Sequence, residues 1–178
     1  MALRNILKEG EPTLNKHCRP VTDFNDRLHV LLDDMADTLA EANGVGLAAP
    51  QVGILRRAVV VLETNVDEDD DEYIIELINP EIIETSGQQE GPEGCLSVPG
   101  VYGIVKRPDY VKVRAQDRDG NTFEVEGEGL TARCFCHEID HLDGHLFLEK
   151  TTHILTEEEL QEWYNENSEN EETEESEE

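Results

Sequence analysis

The stretch "CFCHEIDHLDGHLF", residues 134–147, sets His137 and His141 four positions apart, with Glu138 directly after the first. On an α-helix such residues lie on one face a turn apart, so both imidazoles can reach one cation. Glu138 stands about 100° further round the helix, near enough to handle a proton of water at that cation. The same two histidines on a solvated face would need no metal. Here their neighbours Leu130, Ala132, Cys134, Phe135, Ile139 and Leu142 are apolar, which predicts burial, and buried imidazoles need partners. That favours a ligand role. The pattern predicts a helix over 129–142 at the centre of the fold.

Working outward, Leu28, Leu31, Leu32, Met35 and Leu39 recur at helical spacing between Asp23 and Asn43, with Gly44 as a stop. "AVVVL" (58–62), "YIIELI" (73–78) and "EIIET" (81–85) are β-branched runs. "EGPEGCLSVPGVYG" (90–103), with four glycines and two prolines, reads as an irregular loop. "YVKVRAQD" (110–117) and "TFEVEGE" (122–128) alternate about "RDGN" and predict a hairpin. A last helix is expected from Thr156 as N-cap, with Glu159 three positions on, to about Tyr164. Strands outnumber helices and do not alternate with them. The expected class is α+β: mainly antiparallel β-sheets packed around a central helix carrying HEIDH, with an N-terminal and a C-terminal helix.

The 178 residues suit one domain, placed over 1–164. Residues 165–178 are expected to form an acidic, disordered tail: from 166 on they hold eight glutamates, no basic residue and no large apolar one, too little to offset the entropy of ordering. Removing those eight charges takes the formal net charge from −28 to −20, so the body is acidic too. "DEDDDE" (67–72) reads as an exposed loop. A field of that sign repels phosphate backbones, which argues against direct DNA binding and against anionic membranes. "MALRNILKEG" has no apolar run of signal-peptide length, and nothing approaches the roughly 20 apolar residues of a membrane span. The expected location is cytoplasmic. In a reducing compartment Cys18, Cys95, Cys134 and Cys136 read as thiols or ligands rather than disulfides.

Two histidines leave a third ligand to be found. In zinc proteases of the metzincin type it is a histidine six residues after the second; here Phe147 stands there. Glu157, Glu158, Glu159 and Glu162 lie downstream, but on an exposed amphipathic helix. Cys95, in the glycine-rich stretch, is the other candidate. Cys134, one turn before His137, and Cys136 read first as small buried apolar residues.

Taken together, "GVGLAAPQ" (44–51), "EGCLS" (93–97) and "HEIDH" (137–141) resemble, in order and spacing, the three signature motifs of bacterial peptide deformylases. The resemblance extends from about Leu3 to about Lys150 and includes "VRAQDRDG" and "LDGHLF". It implies hydrolysis of the formyl group from the N-terminal formylmethionine of nascent peptides, with release of formate. It implies Cys95, His137 and His141 as metal ligands with water in the fourth position, and Fe²⁺ as the usual ion, replaceable by Zn²⁺, Ni²⁺ or Co²⁺. Glu138 is implied as general acid and base, and Gln51 with the backbone N–H of Leu96 as oxyanion donors. The substrate is expected against Val45, Gly46 and the 94–103 segment, beginning at Gly94, as an added strand.

These roles make chemical sense. Glycines let a peptide backbone approach closely, an amide and a backbone N–H suit an oxyanion, and Cys134 beside His137 is placed to line a methionine pocket. Glu93 is expected to pair with Arg107 as structural support. Some relatives carry an arginine where Tyr102 stands, which helps bind the peptide; here either Tyr102 or Lys106 takes over that contact or the contact is absent. Some also carry a basic C-terminal extension that helps reach the ribosome. Here the tail is acidic, so transient ribosome contact is not expected through it.

Overall fold

The computed structural model describes residues 2–174, with side chains as far as Ser168. Five strands form one antiparallel sheet in the order β1 (Gly46–Ala48), β2 (Ala58–Glu63), β3 (Tyr73–Ser86), β6 (Tyr110–Gln116), β7 (Thr122–Glu128). A second antiparallel sheet holds β4 (Gln89–Cys95), β5 (Val98–Arg107) and β8 (His153–Leu155) in the order β4-β5-β8. Helices α1 (Asp26–Glu41), α2 (Gly129–Leu142) and α3 (Glu157–Glu174) complete the fold. The class is the expected α+β.

The larger sheet lies between two helices, because β2 is apolar on both faces. Val59 and Val61 pack with Ala132, Phe135, Ile139 and Leu142 of α2. Ala58 and Val60 point the other way, onto Leu28, Leu32, Met35 and Leu39 of α1. This is what a strand buried on both sides requires in place of polar alternation. α1 is capped by Asn25, whose side chain accepts from Leu28 N at 3.2 Å. α2 covers the residues expected of it, and its histidine face turns away from the sheet toward β4 and β5.

Three expectations need correction. Residues 90–103 are not an irregular loop but the β4–β5 hairpin, paired from Gln89↔Arg107 to Glu93↔Gly103 and Cys95↔Val98. Proline and glycine weaken strand propensity, yet β4 is an edge strand, where Pro92 can turn its missing N–H away from the ladder. The runs 73–78 and 81–85 are one strand, β3, with a register shift between Ile78 and Glu81. Asn79 sits there at φ 51°, donating to Val21 O and Gln116 Oε1. α3 passes Tyr164, the expected end of the last helix, and continues to Glu174.

The Thr156–Glu159 capping box forms as expected, with Glu159 N donating to Thr156 Oγ1 and Thr156 N to Glu159 Oε2. Glu157, Glu158 and Glu159 lie at the positive end of the helix dipole, and glutamate is a good helix former. Both favour a longer helix than apolar periodicity shows. Residues 175–178 of the expected tail lie outside the described residues. Among the described residues no helix is long and apolar enough to cross a membrane.

Candidate active site

α2 presents His137 and His141 side by side, with their Nε2 atoms 3.2 Å apart. Cys95, at the end of β4, brings Sγ to 3.4 Å from His141 Nε2. The three ligand atoms lie within 4.8 Å of one another, the one such cluster of His, Cys, Asp or Glu among the described residues. The downstream glutamates are elsewhere; Glu159 pairs with His153. Neither Cys134 nor Cys136 joins the cluster. Phe147 stacks on the His137 ring, centroids 6.1 Å apart.

The donor set fits a metal ion. Metal–nitrogen bonds of about 2.1 Å and a metal–sulfur bond of about 2.3 Å at tetrahedral angles put nitrogens roughly 3.4 Å apart and sulfur roughly 3.6 Å from nitrogen. The observed 3.2 Å and 3.4 Å lie close to these. His137 Nδ1–H donates to Glu93 Oε2 at 2.8 Å; in the neutral ring this leaves the Nε2 lone pair for a metal, on the side of His141.

Glu93 stands two residues before Cys95 on the same face of β4. It accepts from Arg107 Nε at 3.1 Å, Arg107 Nη2 at 2.7 Å and Arg133 Nη1 at 3.0 Å, besides His137. Burial alone would push its carboxyl up, but the bonds from His137 and Arg107 win and hold it well below the usual carboxylate range. Arg107 also donates to Asp140 Oδ2 at 2.8 Å. The expected Glu93–Arg107 pair is therefore present but larger in scope: the carboxylate also orients a candidate ligand. Arg133 escapes the sequence reading. The one signal for it is a cation among the apolar positions of α2, which a buried helix face carries only when paired.

Glu138 is 4% exposed, and Oε2 has no hydrogen-bond partner in the protein; Oε1 lies 3.9 Å from His137 Nε2. Burial pushes its carboxyl up to about 7, against the pull of His137. Gly46 faces it directly: a Cβ there would lie 2.5 Å from Glu138 Oε1. Gln51 is fixed by accepting from Ala48 N at 2.9 Å. Its Nε2 donates to Ser97 Oγ at 3.1 Å and lies 3.6 Å from Cys95 Sγ.

Cys95, His137, Glu138, Gly46 and Gln51 line one cavity of about 520 Å³, together with Val45, Gly94, Leu96 and Cys134. Of the residues expected as catalytic, metal-binding or substrate-binding, all but His141 line this cavity, and His141 meets Cys95 and His137 directly. Burial raises the Cys134 thiol, which suits an inert wall. Tyr102 lines the cavity, whereas Lys106 does not and instead approaches Glu90 at 3.6 Å. The cavity lies between β1 and β4, each the edge strand of its sheet.

Comparison with known proteins agrees. The sequence model of the polypeptide deformylase family matches residues 3–157. The peptide deformylase of Agathobacter rectalis is 56% identical over 165 residues, covering 91% of this chain and all of that one. That of Caldanaerobacter subterraneus is 55% identical over 90% of this chain and 97% of its own length. The crystal structure of a peptide deformylase from Legionella pneumophila superposes with a TM-score of 0.77 at 40% identity, covering 97% of this chain and 98% of that one. A Met-Ala-Ser-bound structure of the Acinetobacter baumannii enzyme gives a TM-score of 0.77 at 39% identity, over 84% of this chain and 98% of that one. The chain therefore belongs to the polypeptide deformylase family, metal-dependent hydrolases that take the formyl group from the N-terminal formylmethionine of newly made proteins.

Proposed function

We propose that the Cys95–His137–His141 cluster, with Glu138 beside it and Gln51 across the cavity, is where this chain carries out that hydrolysis. The observation that supports the reading most is the meeting of three ligand atoms within 4.8 Å of one another beside a cavity lined by Cys95, His137 and Glu138, the last a buried carboxylate with one oxygen lacking a protein partner. The metal that Cys95, His137 and His141 would hold supplies a Lewis acid, which polarises the formyl carbonyl and makes water more acidic.

The chain's own groups do the rest. A formylmethionyl peptide lies along Val45, Gly46 and Gly94 between the free edges of β1 and β4, adding a strand, with its methionine side chain against Cys134. Glu138 takes a proton from the attacking water as the water oxygen bonds to the formyl carbon. The negative charge that develops on the formyl oxygen is held by Gln51 Nε2–H and Leu96 N–H. Glu138 then hands its proton to the amide nitrogen as the C–N bond breaks, which frees formate and the methionine amine.

One thiolate and two imidazoles suit iron, zinc and nickel alike; the ion is taken as Fe²⁺, with Zn²⁺, Ni²⁺ or Co²⁺ able to replace it. The enzyme is placed in the cytoplasm, meeting its substrates in transient contact with the ribosome. Residues 165–178 do not make that contact, because their charge repels rRNA phosphates.

Formate release from formyl-Met-Ala-Ser tests the reading. Glu138→Ala should retain its metal and lose activity by about 10²–10⁴-fold, the usual weight of a positioned acid–base group. Undiminished turnover with metal bound would overturn the role of Glu138.

A further inference from the structure

The two proposed oxyanion donors belong to different parts of the fold. Gln51 lies in the 3-10 turn Ala49–Val52 after β1, beside the large sheet. Leu96 lies in the tight turn between β4 and β5 of the small sheet. Something has to fix their separation. The Gln51–Ser97 side-chain bond contributes, but it depends on the amide that must also face the substrate.

A short N-terminal segment touches both. Leu7 N donates to Gln51 O at 2.7 Å, Glu9 N donates to Ser97 O at 2.8 Å, and Lys8 Nζ donates to Leu96 O at 3.1 Å. Of three consecutive residues, Leu7 is thus bonded to one turn, and Lys8 and Glu9 to the other. The receiving ends are rigid, since Gln51 is 1% and Ser97 0% exposed. The segment is anchored upstream as well: Arg4 N donates to Thr38 Oγ1 at 3.0 Å and Ala2 N to Asp34 Oδ1 at 2.7 Å, both on α1. Ile6 packs in the same apolar cluster as Leu96 and Val52.

We propose that residues 7–9 are positioning residues for the reaction: a brace that sets the distance between Gln51 Nε2 and the Leu96 N–H, and so the fit of the pocket to the developing oxyanion. The inference rests on the proposed roles of Gln51 and Leu96. Leu7 and Glu9 do not line the substrate cavity; Lys8 does, with its Nζ bonded to Leu96 O. Their effect is carried by backbone bonds, and small displacements of preorganised donors are costly to the chemical step while leaving ground-state binding little changed.

The local turn supplies a clean test. Glu11 N donates to Lys8 O at 3.1 Å, and Gly10 has φ 98°, the pattern of a type II turn over 8–11. Proline is at home in the second position of such a turn, which is Glu9. Glu9→Pro therefore suits the turn while removing the N–H that reaches Ser97, and Glu9→Ala keeps that donor. With formyl-Met-Ala-Ser, kcat of Glu9→Pro is expected to fall about tenfold below that of Glu9→Ala, with KM within about twofold and metal per chain the same. Lys8→Met should move kcat in the same direction by a smaller factor, and Lys8→Arg should recover it.

Equal kcat values for Glu9→Pro and Glu9→Ala overturn the brace. So does a fall matched by loss of metal or of melting temperature, which would mark a merely structural role. Failure of the unaltered enzyme to release formate would instead overturn the reading of the site.

Discussion

A Cβ at position 46 would lie 2.5 Å from Glu138 Oε1 and 2.9 Å from its Cδ, so the backbone of β1 is the wall against which the carboxylate rests. Gly46 thereby does more than admit a peptide. Gly46→Ala must push Glu138 off its position, and a shift of even 1 Å in a catalytic group costs up to about 10²-fold in rate. The expected result is a kcat reduced at least about tenfold with metal content unchanged, because the three atoms nearest the added methyl all belong to Glu138. Formate release set beside metal analysis checks it; wild-type kcat would show that the carboxylate can sit elsewhere. Glu93 shows a different economy of charge. Its neighbours Arg107 and Arg133 are also buried, and such a cluster adds little net stability. What it does is hold His137 Nδ1, and with it the direction of the Nε2 lone pair.

Among the elements, α1 supplies none of the proposed site residues, yet the N-terminal segment that reaches Gln51 and Ser97 is anchored on it. Asp34, buried on α1, accepts from Ala2 N at 2.7 Å and Arg4 Nε at 3.0 Å, with Arg4 Nη2 at 2.9 Å. The Ala2 N–H, with help from Arg4, holds the Asp34 carboxyl below the usual carboxylate range despite burial. A carboxyl depressed in the folded state binds protons less readily there than in the unfolded chain. Its stabilising effect is therefore complete above the unfolded value of about 3.9 and fades as pH falls through the lower folded value. Asp34→Asn should lower the melting temperature at neutral pH, and the gap to the unaltered protein should narrow below pH of about 4. A gap independent of pH down to acid unfolding would mean that the charge of Asp34 carries none of the anchoring.

Across the whole molecule, the proposed ligands come from both halves of the fold. Cys95 belongs to the small sheet, while His137 and His141 stand on the helix packed against the large one. A bound ion would tie the two together, and an ion that binds only the folded state stabilises it by mass action. Chelation is expected to lower the melting temperature and abolish formate release together. Re-addition of single ions under anaerobic conditions should restore both, with Fe²⁺ activity decaying in air. In His141→Ala the chelator should shift the melting temperature little. An undiminished shift in that variant would place the metal elsewhere.

The sequence by itself determined the helix that carries HEIDH, the flanking α1, the β6–β7 hairpin and the capping box at Thr156. Each depends on contacts a few residues apart, which periodicity and turn chemistry encode directly. It also gathered Cys95, Gln51 and Glu138, through three motifs whose order and spacing resemble one family. The tertiary structure alone decided the rest. Residues 90–103 look like a loop because glycine and proline disfavour strands locally; pairing with β5 and β8 overrides that. Arg133 is unremarkable until Glu93 is seen between it and Arg107, and the link of residues 7–9 to Gln51 and Ser97 spans more than 40 and more than 85 positions of chain. Such contacts follow from which backbones the fold brings side by side, and no window of sequence contains them.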